Sequence, residues 1–189
     1  MVDGKGRQKI EGIIYLIGFM LCIPASNWMI GHVGTVCPPD SPCLIPVAPG
    51  LMAPSGVLTI GLALVLRDLV QRRLGLRWAG LAILAGGAIS ALVAPAALAL
   101  ASTAAFLLSE FVDLAVFTPL QKRGLVFAVF LSGIVGLFVD SVVFLQLAFG
   151  NLDFLLGQVV GKAWMVVLSL PAIALLRQRD ARLGYASNA

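Results

Sequence analysis

Four ionisable side chains sit in stretches of sequence that are otherwise almost wholly apolar: Glu110 and Asp113 in one, Asp140 in the next and Lys162 in the last. An ionised group at the centre of a bilayer costs about 2.5–3.5 kcal/mol on insertion scales, so four unpaired ones would cost on the order of 10–14 kcal/mol. Such groups persist where they face a protein interior and meet partners there. At 1.5 Å per helical residue, Asp140 lies about 15 Å from the turn at Gly150, Lys162 roughly 14 Å beyond Asp153, and Glu110 and Asp113 about 14–18 Å from Lys122. All four therefore converge near one depth. Glu110 and Asp113 are spaced i,i+3, and Gln158 and Lys162 i,i+4, so each pair shares a helix face. Asp140 and Lys162, on neighbouring antiparallel segments, are free to pair. The spacing predicts a polar pocket walled by Phe106, Phe117, Phe144 and Trp164. Carboxylates and an amide between aromatic walls suit a flat ligand rich in hydrogen-bonding groups. The competing reading is structural, with Asp140–Lys162 as a packing pair and a protonated Glu110 or Asp113 bridging helices. Four groups at one depth in so short a chain favour the cavity.

Other polar residues are weaker candidates. Asn27 could reach the pocket from above, or end its helix beside Trp28 as an interfacial anchor. Arg67-Asp68 reads as a snorkelling pair at a membrane face or as a gate to the pocket. Cys37 and Cys43 enclose Pro38-Pro39-Asp40-Ser41-Pro42. In an oxidising compartment they could form a disulfide, but the prolines constrain the geometry, and two free thiols are an equal alternative. Cys22 reads as an apolar packing residue and the lone His32 as an interfacial one. Gly133 with Gly136, and Gly157 with Gly161, allow close helix contact; the second pair is a Gly-x-x-x-Gly pattern, the weak basis for a candidate homodimer. Gly157-Gln-Val-Val-Gly161-Lys162-Ala163 imitates a phosphate-binding loop but has one spacer too few and no Ser/Thr after the lysine. No catalytic constellation, metal-ligand cluster or cofactor motif emerges.

The elements that hold these residues follow from composition. Of the 189 residues 60% are hydrophobic and 12% charged, with a mean hydropathy of +1.01, against about 25% charged in a soluble domain. Six runs approach the roughly 20 residues that cross a bilayer: Ile13–Ile30, Leu51–Val70, Trp78–Val93, Pro95–Thr118, Leu125–Phe149 and Phe154–Leu176. The stretch from Leu76 to Pro119 is too long for one crossing, and Ala94-Pro95 supplies its break. Lys5, Arg7 and Lys9, then Arg67, Arg72, Arg73 and Arg77, then Lys122 and Arg123, then Arg177, Arg179 and Arg182 all fall on one side of this layout. The positive-inside rule then puts both termini in the cytoplasm. The expectation is an all-α, six-span protein of a bacterial inner membrane: a cytoplasmic segment 1–12, a membrane domain 13–176 and a cytoplasmic tail 177–189. The first run is too long for a cleavable signal peptide. The net charge of +4 is a topology signal, so lipid and a small molecule are the expected partners and nucleic acid is not.

Ser109-Glu110-Phe111-Val112-Asp113, followed by Phe117-Thr118-Pro119-Leu120, resembles the signature span of the queuosine precursor transporter family, also called the vitamin uptake transporter group. Leu66-Arg67-Asp68-Leu69, Asp140-Ser141 with Phe144, and Gln158 with Lys162 are similar to its pattern too, so the resemblance runs from the first span to the last. Many relatives carry Gln where this chain has Glu110. The resemblance implies import of a 7-deazapurine such as preQ0, preQ1 or queuine. On that reading Glu110 or Asp113 accepts N–H bonds from the base, and Lys162 or Gln158 donates to its carbonyl. Asn27, Phe117, Asp140 and Phe144 complete the expected set. The alternative is the substrate-binding subunit of an energy-coupling-factor vitamin importer, which depends on a separate ATPase.

Overall fold

A computed structural model describes residues 4–39 and 42–185. Six helices follow along it: α1 (Gly4–His32), α2 (Val57–Leu74), α3 (Leu76–Val93), α4 (Ala99–Leu120), α5 (Leu125–Phe149) and α6 (Leu155–Leu183). α3 stops at Val93, immediately before Ala94-Pro95, where the missing proline N–H favours a break. α1 and α6 run beyond the apolar spans into the basic ends of the chain.

A short antiparallel hairpin is added to the all-α bundle. Leu51–Pro54 does not open the second span but forms β2, paired with β1 (Leu44–Ala48). Pro49 and Gly50 make the turn, with Gly50 at φ +73°, a conformation that costs glycine no steric penalty. Apolar composition alone does not separate a short strand from the start of a helix.

Five of the helices are long and apolar enough to cross a membrane, and leucines such as Leu92, Leu100 and Leu175 project from the bundle. The chain is a multi-pass membrane protein. α2 differs because it carries Arg67, Asp68, Gln71, Arg72 and Arg73. Twelve of its 18 residues are buried, and it packs against every other helix. It meets protein rather than lipid on most of its surface, which is why charge is tolerated there.

The two ends of the bundle are held differently. At the hairpin end, Ser55 Oγ donates to the Met29 carbonyl at 2.7 Å and Trp164 Nε1 to the Val47 carbonyl at 2.9 Å. A disulfide joins Cys37 to Cys43; Asp40 and Ser41, which it encloses, lie outside the described residues. His32 Nδ1 donates to the Trp28 carbonyl at 2.8 Å. At the opposite end, Asp180 accepts from Arg72 (2.9 Å) and Arg73 (2.8 Å), and Glu11 pairs with Arg73 (3.0 Å) and Arg179 (2.7 Å). Burial pushes the Asp180 carboxyl up, but the Arg73 and Arg72 guanidiniums more than offset this and hold it below its ordinary value. Residues that read as topology signals thus also clamp α1, α2 and α6 together.

The close-contact glycines act within the chain. A Cβ at Gly157 would overlap the Met52 carbonyl oxygen, and one at Gly161 would lie 2.6 Å from a Val57 methyl. Gly133 faces Val166, and Gly136 faces Asp113 and Leu64. The Gly-x-x-x-Gly pair therefore seats α6 on the hairpin and on α2. Gly157→Ala is expected to cost about 1–3 kcal/mol by overpacking, lowering Tm in detergent by roughly 2–12 °C at this chain length. Gly80→Ala, where nothing lies within 4 Å, is the control and should leave Tm no lower.

Candidate functional site

Below the hairpin lies a cavity with about 490 Å³ of empty space, open solvent at its mouth included. Ile23, Ser26 and Asn27 of α1 line it, as do Pro54, Gly56 and the start of α2; Ser90 of α3 and Phe106 of α4 add one side. Asp140 and Phe144 of α5, with Gln158 and Lys162 of α6, form its floor and far wall. It therefore lies among all six helices, not between α4, α5 and α6 alone.

The floor is arranged by Lys162. Its ammonium donates to Asp140 Oδ2 at 2.6 Å, Ser141 Oγ at 2.9 Å and Gln158 Oε1 at 2.6 Å. An ammonium has three donors, and all three are engaged, so Lys162 has none left for a ligand. It holds Asp140 in place and fixes the Gln158 amide with its oxygen toward the lysine, leaving the amide nitrogen as a donor. Ser109 Oγ donates to the Phe106 carbonyl at 3.1 Å and lies 3.4 Å from Asp140 Oδ1. Asn27 Nδ2 bonds the Ile23 carbonyl at 3.0 Å, which leaves its side-chain oxygen as an acceptor at the cavity wall.

Glu110 and Asp113 belong to a second, sealed layer. Arg67 sits at its centre: Nη1 meets Asp68 Oδ1 at 2.9 Å, Nε meets Glu110 Oε2 at 3.2 Å, and Nη2 pairs with Asp113. None of these four residues is more than 1% exposed. Arg67 Nη1 also donates to Gln71 Oε1 at 3.3 Å, and Gln71 Nε2 to Thr118 Oγ1 at 3.0 Å. The guanidinium lies 5.8 Å from the centroid of Phe117. Ser132 Oγ donates to Asp68 Oδ2 at 3.2 Å and is within reach of Asp113, but one hydroxyl proton cannot serve both. Asp113 Oδ1 is left with no donor.

The residues singled out from sequence thus divide. Asn27, Asp140, Phe144, Gln158 and Lys162 line the cavity with Phe106. Glu110, Asp113 and Phe117 lie beneath it, around Arg67. Trp164, expected as a wall, faces outward at 49% exposure. Arg67 does not snorkel: it is fully buried, because the central helix carries it into the protein rather than to a membrane face. The serines at positions 26, 90 and 132, with Gln71, were missed, and Ser109, Thr118 and Ser141 entered only as members of the motifs that carry the resemblance. Their only signal was a small polar residue recurring within apolar helices, too common a pattern to single out.

Residues 90–176, just under half of the chain, match a family model described as "Putative vitamin uptake transporter". The matched stretch holds Glu110, Asp113, Asp140, Gln158 and Lys162; Asn27, Arg67 and Asp68 fall outside it. No curated protein and no solved structure matches the chain.

Proposed function

We propose that the chain crosses a bacterial inner membrane six times, with both termini in the cytoplasm, and imports a 7-deazapurine precursor of queuosine through the cavity beneath the hairpin. The observation that carries this reading is the pairing of an acceptor and a donor on the cavity floor, Asp140 beside Gln158, near the rings of Phe106 and Phe144. A guanine-like edge offers N–H donors next to a carbonyl oxygen. Asp140 accepts from the donors in a charge-assisted bond, the Gln158 amide nitrogen donates to the carbonyl, and the aromatic rings pack against the base. The recognition pair is therefore Asp140 and Gln158, with Lys162 as their positioning residue and Asn27 nearer the mouth.

The similarity of residues 90–176 to an uptake transporter supports transport over catalysis, and no chemical step is assigned. Six crossings rest on α2: its 18 residues extend about 27 Å, close to the hydrocarbon thickness. The orientation rests on the arginines at the end away from the hairpin, where Arg72, Arg73 and Arg179 pair with Glu11 and Asp180 and tie α1, α2 and α6 together.

The test is rescue of queuosine-modified tRNA in a transporter-deficient cell given preQ0, preQ1 or queuine in turn. The chain alone is expected to restore modification with at least one of them, and Asp140→Ala to prevent it. Failure with all three precursors in cells that insert the protein would end this reading. Uptake by the purified chain in liposomes would separate a transporter from a subunit that needs an ATPase partner.

A further inference from the structure

The layer around Arg67 carries a charge count that protein contacts alone do not balance. One guanidinium faces three carboxylates, those of Asp68, Glu110 and Asp113, for a formal charge of −2 in a region with almost no solvent exposure. A dry interior does not hold such an excess, because unpaired ions lose their hydration there without replacement. A carboxyl that binds a proton loses its charge and gains a donor, and Asp113 Oδ1 is an oxygen in want of a donor. We propose that the Arg67–Asp68–Glu110–Asp113 cluster is a proton-binding site that holds two exchangeable protons, and that these protons couple to transport through the cavity above it. The coupling half rests on the transport reading; the proton site does not.

A proton fits better than a metal ion. The planar guanidinium already occupies the centre of the cluster, and among the described residues no group of His, Cys, Asp and Glu is arranged to hold a metal. The site also has a connection to the cavity. Glu110 follows Ser109 on α4, whose hydroxyl approaches Asp140 Oδ1 at 3.4 Å, and Asp140 is the carboxylate that Lys162 holds at 2.6 Å on the floor. A ligand donor taken up by Asp140 weakens the hold of Lys162 on a carboxylate whose charge Glu110 feels.

The groups facing the cluster come from several elements. α2 supplies Arg67, Asp68 and Gln71; α4 supplies Glu110, Asp113 and Thr118; α5 supplies Ser132 and, one layer up, Asp140. Cys22 of α1 feels the charge of Glu110, and Lys162 of α6 reaches the layer through Asp140. The titratable residue of α3, Arg77, is exposed on its first turn. None of these adds a second cation to the cluster itself.

Infrared spectroscopy of the reconstituted wild-type chain tests the site without any ligand. A protonated-carboxyl C=O band at neutral pH, shifting in heavy water and diminished in Glu110→Gln or Asp68→Asn, is expected. Absence of such a band in the wild type, or a band unchanged in Asp68→Asn, Glu110→Gln and Asp113→Asn alike, overturns the site. Proteoliposomes test the coupling, using radiolabelled preQ0, preQ1 and queuine. The wild type should show counterflow without a pH gradient and several-fold accumulation when the outside is acid. Counterflow with accumulation indifferent to the gradient overturns the coupling and leaves the transport reading standing. No counterflow with any of the three removes the transport reading and the coupling together, and the infrared band alone then decides the proton site.

Discussion

Lys162→Met should destabilise the protein by about 3–5 kcal/mol, the usual effect of removing one partner from a buried ion pair, and should abolish ligand binding. The ammonium satisfies Asp140, Ser141 and Gln158 at once, so its loss leaves a buried carboxylate and two polar groups without their donor. The informative variant is the double one. Lys162→Met with Asp140→Asn removes both charges, and replacing a buried pair by neutral groups is often neutral or stabilising. Thermal unfolding in detergent should therefore return to within about 1 kcal/mol of wild type. Affinity for the 7-deazapurine, measured by calorimetry, should stay at least about a hundredfold weaker, because charge-assisted bonds to Asp140 are worth roughly 1.5–3 kcal/mol each. If the double variant recovers binding along with stability, the pair is packing alone and the recognition edge proposed for the cavity is wrong.

What the sequence made legible was depth, and what it hid was partnership. Counting residues from the span ends gave Asp140 and Lys162 one level on adjacent helices, and they meet at 2.6 Å. The same counting put Glu110 and Asp113 at that level too, but rise per residue says nothing about which neighbour a helix face meets. Their partner is Arg67, 43 residues before Glu110, which reads as the edge of a basic loop because Arg72, Arg73 and Arg77 follow it. Only the central position of α2, a property of how the helices assemble, moves Arg67 into the interior. The hairpin was hidden for a different reason. Leu51–Pro54 is apolar enough to be membrane span, and what stops it is its pairing with Leu44–Ala48 across the Pro49-Gly50 turn. The glycines show the same limit, since Gly157 and Gly161 advertise close approach without naming what approaches.

Arg67 should be the least replaceable side chain in the bundle. Three carboxylates and the Gln71 amide oxygen surround its fork, and Phe117 lies against its face at 5.8 Å. A lysine keeps the charge but offers a point rather than a plane, so it cannot span Asp68, Glu110 and Asp113 together or stack on the ring. Arg67→Lys is expected to lose about 2–4 kcal/mol, as one carboxylate forfeits its charged hydrogen bonds. Arg67→Met should lose at least about 3–5 kcal/mol, enough to remove most folded protein from a membrane extract. The compensating change separates charge from shape. If two of the three carboxylates are already protonated, the cluster needs one cation for one anion, and Arg67→Met with Asp113→Asn should recover much of the lost stability. If all three are ionised, neutralising one leaves two repelling charges with no counterion, and the double variant should fold no better than Arg67→Met. Unfolding of the two variants side by side in detergent therefore counts the charges around Arg67 by a route independent of any spectroscopic band.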